Sequence, residues 1–181
     1  MGNPGLGYAA TRHNVGFRVV DELARRLSVS LSGEECACRC ASTPDAAVLL
    51  AQPQTWMNRS GYAARCLVER HQLAVSDLLA VYDEVALPLG KLRLRKSGSP
   101  GGHRGMESIL ENLQSDEVAR LRLGVGPDDG PPPGEDLVAY VLAPFFPAEL
   151  EAVEEMIRRA ASACETWIGE GAEAAMRGFN G

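Results

Sequence analysis

A chain of 181 residues, 45% hydrophobic, has material for one compact domain with its own core, here residues 1–181. A net charge of −6 argues against a general nucleic-acid binder, whose affinity rests on phosphate contacts. No run approaches the roughly 20 apolar residues that cross a bilayer, and the N-terminus has neither the basic region nor the apolar segment of a secretory signal, so a cytoplasmic protein without membrane contact is expected.

The chain opens on a glycine-rich turn, GNPGLGYAATRHN (residues 2–14), which carries His13, one of three histidines. Residues 15–27 read as a helix with Val20, Leu23, Ala24 and Leu27 in one stripe and Asn14 as its cap. Residues 36–51 read as one or two strands ending in AAVLLA. Within them the CACRC run throws Cys36, Cys38 and Cys40 onto one strand face, about 7 Å apart. That is the pattern of small hydrophobes; a structural zinc site usually pairs cysteines two to four residues apart with a second pair elsewhere. Five cysteines, an odd number in three separate regions, make no disulfide framework.

A second turn, QPQTWMNRSG (residues 52–61), leads into a helix that Ser60 can cap and that runs through about His71, with Ala63, Ala64, Leu67 and Val68 facing inward. His71 falls at its polar end, the place of a solvated or dipole-stabilising histidine. Residues 78–82 form a short strand that delivers Asp83 and Glu84 at its end; residues 92–96 form another. The third turn, SGSPGGHRGMESI (residues 97–109), carries His103 and runs into a helix over residues 105–113, followed by a strand over residues 120–125. DDGPPPGED (residues 128–136) is a surface loop, since no helix or strand interior accepts it. Pro147 suits the first turn of a long helix striped by Leu150, Val153, Ile157, Ala160, Ala161, Cys164, Trp167 and Ile168. Interleaved strands and helices predict a three-layer α/β sandwich with a mixed, mostly parallel sheet, its site on loops at strand ends.

Two imidazoles on constrained turns are what proton transfer near neutral pH requires. The run KLRLRKSGSPGGHR, from Lys91 to Arg104, is basic and free of acids, and Arg120 and Arg122 follow it. Alternation with leucines is also the mark of a solvated strand face, but beside His103 and a glycine-rich turn the run reads as a site for a polyanion. GNPGLG lacks GxGxxG spacing and GxxxxGK[ST] is missing, so no nucleotide cofactor is indicated. Neither a GxSxG turn nor a cysteine near the motif histidines offers a nucleophile, which leaves activated water.

In chain order, GNPG, YxxTRHNVGF, PQTxMNxSG, DExxLPxGKxRLRxxGSxGGHxG, RLRLGVG and YVLxxF closely resemble the bacterial-type peptidyl-tRNA hydrolase family over most of the chain. The resemblance implies a monomeric enzyme, needing no metal or other cofactor, that cuts the ester joining a peptide to the terminal ribose of tRNA. It places the general base at His13, oriented by Asp83. Asn3 and Asn58 would hold the peptide, with Asn3 telling a blocked from a free α-amine, and Met57 would pack beneath the site. Tyr8 and Trp56, the latter where the family more often has Phe or Tyr, offer faces for a terminal base or ribose. Arg95 and Arg122 would clamp a phosphate, and His103 and Arg104 would meet the tRNA. The family usually reads GGHNG where Arg104 stands here, and arginine accepts no hydrogen bond. It also places a short apolar strand before GNPG, where this chain has only Met1, so a sheet lacking that strand and a true start upstream are expected. Omitting a strand costs several kcal/mol against a total stability of about 5 to 15 kcal/mol. The alternatives are a noncatalytic RNA-binding protein on the same scaffold and a thiolate metal protein built on CACRC.

Overall fold

The computed structural model describes residues 1–128, 130 and 135–181. A 3-10 turn at Arg12–Asn14 leads into helix α1 (Val15–Arg26), whose buried Val15, Val19, Val20, Leu23 and Ala24 recur at helical spacing and give it one apolar face. Strands β1 (Gly33–Glu35), β2 (Cys38–Ser42) and β3 (Leu49–Pro53) form one antiparallel sheet in that order. Strands β4 (Leu79–Pro88), β5 (Leu92–Arg95) and β6 (Ala119–Gly126) form a second, ordered β4-β6-β5.

The second sheet is mixed, as expected, but neither sheet is mostly parallel. Among the described residues only β4 and β6 run parallel, joined by a long connection that contains β5 and helix α3 (Arg104–Leu113); the other pairings are antiparallel. Short connections force that outcome in the first sheet, because a parallel crossover needs a dozen residues or more; in the second, the short turn after β4 sends β5 back in the opposite direction, so it opposes β6, which runs parallel to β4. Helices cover both faces of the second sheet. Val81, Leu92, Leu94, Leu121, Leu123 and Val125 pack with α1 and with α5 (Leu150–Glu170), whereas Ala80, Tyr82 and Val118 pack with Ala64 of α2 (Ser60–His71) and with Met106 and Ile109 of α3. Close approach of α2 to α3 needs Gly61, where a Cβ would run into the Ser108 carbonyl.

Other details depart from expectation. Arg59, not Ser60, occupies the cap of α2; Ser60 is the first helical residue and its Oγ donates to the Met57 carbonyl at 2.8 Å. Asn14 makes no side-chain cap on α1. Asp83 and Glu84 lie inside β4, which continues to Pro88. Helix α4 (Glu135–Leu142) begins inside the stretch expected as a loop, of which residues 129 and 131–134 lie outside the described residues. In α5 the stripe is buried from Val153 to Cys164, while Leu150 and Ile168 are exposed.

Cys36 is not on the strand face with Cys38 and Cys40. It forms, with Ala37, a two-residue β1–β2 turn with φ of 49° and 54°, and it is bonded to Cys66 of α2. A disulfide therefore exists where none was expected, the geometry of a left-handed hairpin turn having rotated Cys36 out of the strand. Cys38 and Cys40 are buried and free, and burial first of all pushes the Cys38 thiol up to about 12, which disfavours the thiolate a metal needs. No strand precedes Gly33 among the described residues. Met1 is buried and its amino group, held down to about 5 chiefly by burial, donates to the Val81 carbonyl at 2.5 Å. No helix among the described residues is long and apolar enough to cross a membrane.

Candidate active site

Three segments meet at Asp83. The strand sequence LAVYDEV buries this carboxylate to 2% exposure, and two imidazoles satisfy it. His13, from the turn before α1, places Nδ1 2.9 Å from both Asp83 oxygens. His103, at the start of α3, places Nε2 3.1 Å from Oδ1. The latter reaches inward because Gly101 and Gly102, at φ of 61° and 81°, turn the chain through a region closed to most side chains. Burial works to raise the pKa of Asp83, but His13 and then His103 overcome it and hold the carboxyl well below the usual range. Asp83 is ionised.

An ionised carboxylate only accepts, so both facing nitrogens carry protons. In its neutral form His13 is thereby fixed with Nδ1–H toward Asp83 and a lone pair on Nε2, the tautomer of a general base. For His103 a second contact agrees: its Nδ1 accepts from the Met106 backbone N–H at 3.1 Å, capping α3. His13, Asp83 and His103 also have potential metal-ligating atoms within 4.8 Å of one another. A metal there would need lone pairs where these rings hold protons, and a proton on His103 Nδ1 would abolish the cap. The residues fit a hydrogen-bonded array better than a metal centre.

Asn3 is oriented from two sides. Its backbone N–H donates to Asn14 Oδ1 at 2.9 Å and its carbonyl accepts from Asn14 Nδ2 at 2.8 Å, so the residue expected to cap α1 instead clamps Asn3. Asn3 Oδ1 accepts from the Met57 N–H at 2.8 Å, which fixes the flip of the amide and leaves Nδ2 without a partner among the described residues. Met57 is buried against Gly105. Asn58 is exposed beside it. Tyr8 and Trp56 meet edge to face, ring centroids 5.8 Å apart, and Trp56 remains 52% exposed.

On the basic side, Arg95 and Arg104 are exposed, and Arg122 is held by Glu84 at 3.0 Å. The strand register places Arg93, absent from the expected clamp, directly across from Arg122, with Arg95 across from Arg120. Arg120 serves no ligand: it is buried and donates to the carbonyls of Gly98, Ser99 and Asp116, pinning the turn that leads to His103. Sequence reasoning also missed Arg12, which lies buried beside His13; adjacency to the motif histidine was the available signal.

Known proteins resemble this chain over nearly its whole length. A family model described as peptidyl-tRNA hydrolase matches residues 1–181. The peptidyl-tRNA hydrolase of Methylacidiphilum infernorum is 44% identical over 97% of this chain and 92% of its own length. That of Halalkalibacterium halodurans is 41% identical over 99% and 97%. The crystal structure of the Acinetobacter baumannii enzyme superposes with a TM-score of 0.90 at 29% identity, covering 99% of this chain and 92% of that one. The chain belongs to the peptidyl-tRNA hydrolase family.

Proposed function

We propose that this chain hydrolyses the ester between the peptide and the terminal ribose of peptidyl-tRNA in the cytoplasm, as a monomer of one domain and without a metal. The observation that carries the reading is the His13 Nδ1 contact of 2.9 Å with a buried, ionised Asp83, in a chain of this family. His13 Nε2 takes a proton from water as its oxygen attacks the ester carbonyl. Asp83 stabilises the imidazolium that forms, and the same proton passes to the departing ribose oxygen as the C–O bond breaks. A groove that merely bound RNA has no use for a buried carboxylate fixing the tautomer of a base.

Asn3 supplies the choice of substrate. With Oδ1 engaged by Met57, it presents Nδ2–H to the site, a donor that suits the acyl oxygen of an N-blocked residue and offers nothing to a free ammonium. Asn58, exposed and next to Met57 in the chain, takes the peptide. Tyr8 and Trp56 offer surfaces for the terminal nucleoside, while Arg95, Arg122 and Arg104 meet phosphate, His103 lying at the junction.

Peptide release from N-blocked aminoacyl-tRNA, run beside the unblocked form, tests the reading. The wild type cleaves the blocked substrate by a wide margin. His13→Ala retains fold and tRNA affinity but loses about 10²- to 10⁴-fold in turnover, roughly 3 to 5 kcal/mol. Near-normal turnover by this variant removes His13 from the mechanism.

A further inference from the structure

Arg12 is 1% exposed, an arginine in the core next to the base. Its guanidinium lies 4.3 Å from the Tyr140 ring centroid, 5.0 Å from that of Phe145 and 5.3 Å from that of Phe146. Nη1 donates to the Pro144 carbonyl at 2.5 Å and Nη2 to Glu149 Oε2 at 2.7 Å. The same oxygen accepts from the Phe146 N–H at 2.6 Å, closing the turn ahead of α5. The backbone N–H of Arg12 donates to the Ala143 carbonyl at 3.1 Å, and Thr11 bridges Pro144. Tyr140 is itself fixed, its hydroxyl donating to the Val125 carbonyl at the end of β6 at 2.6 Å.

For stability alone, an apolar side chain would fill such an aromatic cage at least as well, because a buried ion pair gains little over its desolvation. What the pair supplies is geometry. A planar guanidinium stacked on rings and bonded in two directions has one pose, which a lysine ammonium cannot reproduce. Arg12 and His13 share one 3-10 turn, so a shift of the first carries the ring of the second.

We infer that Arg12 is a positioning residue for the reaction: held by Glu149 from the α4–α5 corner, it keeps the His13 turn in register with Asp83. The inference rests on the hydrolase reading above, and its test has a readout that needs no substrate. Misplacing a reacting group by an ångström costs on the order of 10²-fold in rate. Arg12→Lys should therefore lower kcat on N-blocked aminoacyl-tRNA about 30- to 100-fold with KM within about twofold, and Glu149→Gln should act in the same direction by about tenfold. In both, the downfield proton resonance of His13 Nδ1–H, hydrogen-bonded to Asp83, should weaken or vanish in folded protein. Should Arg12→Lys fail to fold, Glu149→Gln decides alone. A lowered melting temperature with kcat within twofold of wild type and the resonance intact reduces Arg12 to a structural residue and overturns the inference. Absence of turnover in the wild type, with the resonance present there and lost in the variants, refutes the hydrolase reading and leaves the positioning geometry standing.

Discussion

Asp83 accepts from two imidazoles while sealed from water, so its charge is as much a part of the fold as of the site. A carboxyl held below its unfolded value of about 3.9 stabilises the native state above that pH, and the contribution is lost as pH falls through the lowered native value. Thermal melts from pH 6 down to pH 2 should show the wild type losing stability below about pH 4 more steeply than Asp83→Asn, whose amide does not titrate there. Parallel curves would mean that the carboxylate is not the linked group. Asn3→Asp probes the specificity argument in the same spirit. The replacement still accepts from the Met57 N–H but presents an anion where Nδ2–H stood. Activity on blocked substrate should drop by about 10²-fold, and the ratio of blocked to free cleavage should collapse, because a carboxylate attracts an ammonium. An unchanged ratio would place the choice elsewhere.

The β1–β2 hairpin shows what sequence could and could not reveal at the level of elements. Helix α1, the turn bearing His103, and strands β4 to β6 were legible from apolar period and glycine spacing. Strand β1 was not, because its turn uses Cys36 and Ala37 in a conformation that Asn-Gly normally announces. Likewise Asn14 sits where a cap belongs, and only the chain folding back 11 residues shows that Asn3 takes its amide instead. The Cys36–Cys66 bond was hidden for the same reason: the two residues meet only once α2 lies beside the hairpin, where Glu35 also meets Arg70 and His71. Closing a loop over a separation of 30 residues restrains the unfolded chain by about 3.5 kcal/mol. For a chain of this size that is about 7 to 14 °C in melting temperature. Reductant should lower the wild-type melt by that order and leave Cys66→Ser, already low, unmoved; equal sensitivity of the two would mean that the bond does not contribute.

Over the whole molecule, a net charge of −6 coexists with a basic strip on one edge of the second sheet. β5 is that edge, buried through Leu92 and Leu94 and turned outward through Arg93 and Arg95. The C-terminal helix α6 (Ala172–Phe179) is tied to the same strand: Asn180 accepts from the Leu94 N–H at 2.6 Å and donates to its carbonyl at 3.1 Å, while Glu173 pairs with Lys96. The backbone of the strip is thus fixed, and an acidic protein with one basic face meets a polyanion through that face. Each phosphate contact releases counterions, so the logarithm of affinity falls with the logarithm of salt by about 0.7 to 0.9 per contact. Arg93→Ala and Arg122→Ala should each weaken tRNA binding and flatten that dependence by about one contact, with little effect on turnover of bound substrate. Arg65→Ala, an exposed arginine paired with Glu69 on α2, should leave the slope alone. Titrations of tRNA binding between 50 and 200 mM salt separate the outcomes: three equal slopes would detach this face from the RNA, whereas a change confined to Arg122 would return Arg93 to the solvated surface.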